Sequence, residues 1–81
     1  MTEEEVKEKI LSAFIDAKIQ VIDTTGMGNH FSVVVISDKF DGKSLVQRHQ
    51  MVYTSVSDVL TGELHALQLK TFTLDEWKKQ Q

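Results

Sequence analysis

Apolar residues recur with two different periods along this 81-residue chain, and the changes of period divide it into six elements. Val6, Ile10, Ala13, Phe14 and Ala17 follow spacings of four, three, one and three, one stripe of a helix predicted over about Glu3 to Ala17. Lys18 to Asp23 then alternates polar and apolar, the pattern of a half-buried strand. His30 to Ser37 is rich in β-branched residues and apolar on both faces at its centre, a second strand. Residues 24–29, with Gly26 and Gly28, join the two as a flexible hairpin turn. Leu45, His49, Val52, Val56, Val59 and Leu60 form the stripe of a helix over about Leu45 to Leu60, which Gly62 can end in the left-handed conformation. Leu64 to Phe72 alternates again as a third strand, and a short terminal helix carries Trp77.

Each helix is announced by the same signal. Thr2 with Glu5, Ser44 with Gln47 and Thr73 with Glu76 have capping-box spacing, in which a hydroxyl takes a free backbone N–H and the residue three positions on reaches back. The order α-β-β-α-β-α with one stripe per helix predicts an α+β domain: a three-stranded sheet with helices packed on one face. Residues 1–81 read as a single domain, without repeat, low-complexity stretch or linker.

Composition narrows the chemistry. The chain has no cysteine, which removes disulfides, thiolate nucleophiles, cysteine-based zinc sites and a self-contained all-cysteine iron–sulfur site. An iron–sulfur or other soft-metal site on this chain is therefore expected to draw on histidine. The formal net charge is -3. Residues 1–38 carry three Lys against seven Asp/Glu, and residues 39–81 carry six Lys/Arg against five Asp/Glu, so basic residues concentrate in the second half. The acidic total argues mildly against nucleic acid as the partner of the whole domain. No apolar run approaches the length of a membrane span. The start, with Glu3, Glu4 and Glu5, lacks a basic and then apolar leader, so no secretory signal is expected. The expected location is the cytoplasm, with an organelle after removal of a transit peptide left open.

Several motifs fail on inspection. Gly26-Met27-Gly28 lacks the further glycine of a dinucleotide fingerprint and leads into a strand. Gly42-Lys43-Ser44 resembles the end of a P-loop, but Ser37 stands where the upstream glycine is required. Its plain reading is a turn and helix N-cap; the sharper one uses the freed N–H groups and Lys43 to hold a phosphate or carboxylate. No nucleophile elbow or carboxylate pair stands out, and no enzyme is expected. Among the histidines, His49 lies on the apolar stripe of the second long helix, and its default reading is a packed residue whose ring nitrogens bond nearby backbone. His30, at the edge of the glycine loop, is an accessible imidazole able to coordinate metal. His65 begins the third strand, on the face of Leu67 and Leu69, and has no task assigned by its sequence context.

The segments Phe40-Asp41-Gly42-Lys43-Ser44-Leu45-Val46-Gln47-Arg48-His49, Val52-Tyr53 and Leu64-His65-Ala66-Leu67-Gln68-Leu69-Lys70-Thr71, followed by Trp77, together resemble the BolA-like proteins over nearly the whole chain. Gly28-Asn29-His30-Phe31 resembles the branch with histidine, not cysteine, in the loop between the first two strands. The resemblance implies a class II KH-like fold and a non-enzymatic role with a monothiol glutaredoxin, sharing a [2Fe-2S] cluster completed by the glutaredoxin cysteine and glutathione. It places the expected ligand at His65 and the second candidate at His30, leaves His49 mainly structural, and puts partner docking around His65, His30 and Trp77. Homodimerisation stays open. The alternative reading is a DNA-binding transcriptional regulator, with Lys39, Lys43, Arg48 and Lys70 as a small basic face. Against it, the Gly-x-x-Gly loop of ordinary KH domains is missing.

Overall fold

The computed structural model describes residues 1–58 and 66–80. The described elements are α1 (Glu3–Ala13), β1 (Lys18–Asp23), β2 (His30–Ile36), a 3-10 turn (Asp38–Phe40), α2 (Leu45–Ser55), β3 (Ala66–Phe72) and α3 (Leu74–Lys79). The order is α-β-β-α-β-α, as the hydrophobic pattern predicts. The sheet order is β1-β2-β3, with β1 antiparallel and β3 parallel to the central strand. A parallel neighbour requires a crossover, and α2 lies within it. Among the described residues, no helix is long and apolar enough to cross a membrane.

Strand alternation sorts the sheet into two faces. Ile19, Val35 and Thr71 align across the three strands, as do Val21, Val33 and Leu69. This face packs against Val6 and Ile10 of α1 and Val52 of α2 in one core, with Phe14, Phe40 and Val56 filling the ends. The opposite face carries His30, Ser32, Val34 and Ile36 from β2, with Gln20 and Lys70 flanking Val34. At the C-terminal end of β3, Phe72 on this second face meets Trp77 of α3, with ring centroids 5.3 Å apart.

All three capping boxes form as the sequence predicts, with both reciprocal hydrogen bonds in each. The helix ends differ from expectation. α1 stops at Ala13, not Ala17, because Phe14 takes φ -130° and ψ 71° and turns its ring onto Phe40, at a centroid distance of 5.2 Å. The carbonyl of Ala13 then accepts from Lys39 Nζ at 3.1 Å, so a cation closes the helix where its dipole is negative. Of the stripe that suggested a longer helix, Val6, Ile10 and Phe14 are buried and Ala17 is half-buried, while Ala13 is exposed. Leu45, expected in the core stripe of α2, is 64% exposed at the helix start. Regular helix in α2 ends at Ser55, with Val56 as a buried cap. The predicted helix end at Val59, Leu60 and Gly62, and the strand start at Leu64 and His65, lie outside the described residues. The 3-10 turn was not expected; Ser37 Oγ nucleates it by accepting from the Lys39 amide at 3.2 Å.

Candidate functional site

His30 is the first residue of β2 and is half-buried. Its strand partner across the parallel ladder is Ala66, the first residue of β3. His65 immediately precedes Ala66 in the chain and lies outside the described residues.

The loop leading into His30 is built around a carboxylate. Asp23 Oδ1 accepts from the amides of Gly26 at 2.9 Å and Thr25 at 3.2 Å, and Oδ2 accepts from Gly28 at 2.9 Å. The amide of Asp23 donates to Glu3 Oε2 at 2.8 Å, and the Met1 ammonium donates to the Gly28 carbonyl at 2.9 Å. Gly28 has φ +76°, and a Cβ there would stand 2.5 Å from the Met1 carbonyl oxygen, so glycine is needed for conformation and for space. Thr24 closes the loop, donating from its amide and hydroxyl to the His30 carbonyl at 3.0 and 3.2 Å. Desolvation opposes charge on Asp23, but the backbone N–H donors of Gly26, Gly28 and Thr25 outweigh it and hold the carboxyl below its ordinary range. The loop is thus a tied structure, not the flexible turn its glycines suggested. The missed signal was the aspartate preceding them, a residue whose side chain bonds backbone amides two residues on and beyond.

His49 behaves differently from its default reading. Its ring lies edge-on to Tyr53, centroids 6.5 Å apart. Tyr53 donates to the Leu67 carbonyl at 3.2 Å, tying α2 to β3. The Nε2 atom of His49 is buried with no hydrogen-bond partner among the described residues, so the expectation of backbone bonds from both ring nitrogens is not met.

The four basic candidates differ in how they are engaged. Arg48 places both terminal nitrogens on Glu76, at 2.6 and 3.2 Å, and its Nε donates to the Lys43 carbonyl at 3.0 Å. Lys39 is bonded to Ala13 and sits 5.9 Å over the ring of Phe14. Lys43 is exposed in the turn before α2. Lys70 belongs to the second face of the sheet, in register with Val34 and Gln20. Glu76 was recognised in the sequence as a capping residue but not as the partner of Arg48. Among the described residues no group of three His, Asp or Glu side chains is arranged to hold a metal ion.

A three-stranded mixed sheet in α-β-β-α-β-α order, with a histidine opening the central strand, defines an α+β domain of the class II KH-like type. The family model described as "BolA-like protein" matches residues 8–76. The chain belongs to this non-catalytic family. The Escherichia coli (strain K12) protein described as "DNA-binding transcriptional regulator BolA" is 35% identical over 85 residues, covering 96% of this chain and 81% of that protein. The solution structure of yeast Fra2 is 40% identical with a TM-score of 0.78, covering 98% of this chain and 86% of that one. The crystal structure of a bol-like protein from Babesia bovis has a TM-score of 0.87 at 25% identity, covering 99% and 93% of the two chains.

Proposed function

We propose that this chain is a non-enzymatic partner of a monothiol glutaredoxin in the binding, transfer or sensing of a [2Fe-2S] cluster, with His65 and His30 as its ligands and His49 as a packing residue. The observation that carries the reading is the strand register: His30 is paired with Ala66, and Ala66 directly follows His65. The donor chemistry agrees. Such a cluster needs four terminal ligands, the chain has no cysteine, and the described residues offer no three-ligand group. Imidazole nitrogens from this side therefore suit a shared site, with thiolates from the glutaredoxin and from glutathione. Exchanging thiolate for imidazole lowers the negative charge at the cluster and makes its hold sensitive to acid, because a protonated imidazole cannot ligate metal. Those properties suit a labile cargo more than a stored one.

The test is a titration of cluster-loaded monothiol glutaredoxin with this protein, followed by visible absorption and circular dichroism. The wild type is expected to change both spectra, His65→Ala to abolish the change and His30→Ala to weaken it. A wild-type spectrum that stays as it was, or the same response from His65→Ala, would overturn the reading. Equal complex formation without iron would leave a metal-free adaptor instead.

A DNA-binding role is the second reading, favoured by the description of the Escherichia coli and Vibrio cholerae relatives as DNA-binding transcriptional regulators. It ranks second because Arg48 and Lys39 are spent on contacts within the domain and the net charge is -3. A true phosphate footprint would make DNA affinity fall steeply between two salt concentrations.

A further inference from the structure

Asp23 has no place in the ligand set, yet more of the loop's hydrogen bonds converge on it than on any other described side chain there. Its carboxylate holds the amides of Thr25, Gly26 and Gly28, its own amide is held by Glu3, and the next residue, Thr24, grips the His30 carbonyl twice. Thr25 Oγ1 further donates to Asn29 Oδ1 at 3.2 Å, fixing the residue before His30. The path from Asp23 to His30 is thus closed from both sides of the loop.

We propose that Asp23 is a positioning residue for His30: its carboxylate fixes the 24–29 loop and so sets the direction in which the His30 imidazole is presented. The physical reason is the number of acceptors required. Three amides in a glycine-containing loop converge on one side chain, and only a group with two oxygens, each with spare lone pairs, takes all three. Charge strengthens each bond relative to a neutral acceptor. Without the carboxylate, Gly26 and Gly28, both at φ +76°, lose the contacts that select this one loop conformation from the many open to glycine. The consequence for cluster ligation rests on the reading of His30 given above; the positioning itself does not.

The experiment therefore has two arms. In the isolated chain, nuclear magnetic resonance follows amide exchange at Gly26 and Gly28 and the ring signals of His30, with Val33 and Phe40 signals reporting an intact core. Asp23→Ala is expected to speed exchange of the two glycine amides by about tenfold or more and to shift and broaden the His30 ring signals. Asp23→Asn, which keeps one acceptor oxygen, is expected to fall between. Thr24→Val, which removes one of the two grips on the His30 carbonyl, is expected to move the ring signals with little change at Gly28. In the second arm, Asp23→Ala in the glutaredoxin complex is expected to reproduce the spectrum of His30→Ala, and the double variant to add nothing. Ring signals of His30 that stay as in the wild type in Asp23→Ala overturn the proposal. A silent His30→Ala in the second arm removes His30 from the ligand set, while the ring signals still decide whether Asp23 positions it.

Discussion

Arg48 shows how one residue can be legible as important and illegible as to why. It stands in the Phe40–His49 segment that carries the family resemblance, and its charge suggests a phosphate. The structure gives it to Glu76 in a two-pronged pair, with the Arg48 side chain 13% exposed and that of Glu76 44%. Glu76 also accepts from the Thr73 amide at 2.8 Å, so one carboxylate closes the cap of α3 and docks it on α2. Hydrogen bonds from the Arg48 side chain, then from the Thr73 backbone, hold the Glu76 carboxyl below its ordinary range. A carboxyl more acidic in the folded state adds stability that is complete above its unfolded value and fades as pH falls through the folded one. Stability is therefore expected to decline as pH falls below about 4.3, and Glu76→Gln should flatten that part of a melting-temperature profile while lowering the neutral plateau. A profile unchanged in slope would mean that the pair contributes nothing. A contact 28 residues apart in sequence leaves no periodic trace, which explains why the pairing was not readable.

Caps were the most readable elements, since they depend on residues three positions apart and on no tertiary contact. The spacing named Thr2, Ser44 and Thr73, and each hydroxyl accepts the expected amide. Helix ends were less readable. α1 ends where Phe14 leaves the helix to meet Phe40, a residue from the far side of β2, and no local signal records that meeting. Removing caps should act unequally. Ser44→Ala is expected to cost about 1 kcal/mol, the usual value of an exposed cap. Thr73→Ala should cost about 2 kcal/mol, at the upper end of that range, because Thr73 is buried and α3 has six residues with which to compensate. Urea unfolding followed by Trp77 fluorescence measures both. Equal costs would show that α3 is held by Arg48 and Trp77 contacts alone.

For the whole molecule, the class of fold was written in the hydrophobic pattern, but the direction of β3 was not. Alternation in β3 fits either direction, and only the crossover containing α2 makes it parallel. The double-faced centre of β2 was the one sequence hint of its place between two neighbours. The candidate site was readable in the same partial way: His30 stood out as an imidazole at a loop edge, while Asp23, Glu3 and Met1, which shape that edge, come from separate elements. The core is small, so single residues carry much of it. Phe40 is fully buried among Phe14 and its neighbours. Phe40→Ala is expected to cost about 3–5 kcal/mol, against about 4–12 kcal/mol available to a domain of this length. Chemical denaturation should show a correspondingly lower midpoint, and a loss under about 1 kcal/mol would show that the site collapses to fill the gap.

His30 opens the strand that pairs on both sides, and this would give the proposed ligand binding a wide reach. A ligand attached to a fraying tail stabilises the tail; one attached to the middle strand of a sheet stabilises the sheet, because the sheet must be formed for the ligating geometry to exist. On the proposed ligation, occupancy at His30 would be linked to folding of the entire domain, by an increment that grows with the logarithm of ligand concentration over its dissociation constant. The domain would then be a gauge of its own cargo: loaded molecules would persist longer, and molecules that had given up their load would return to the modest stability of a small core.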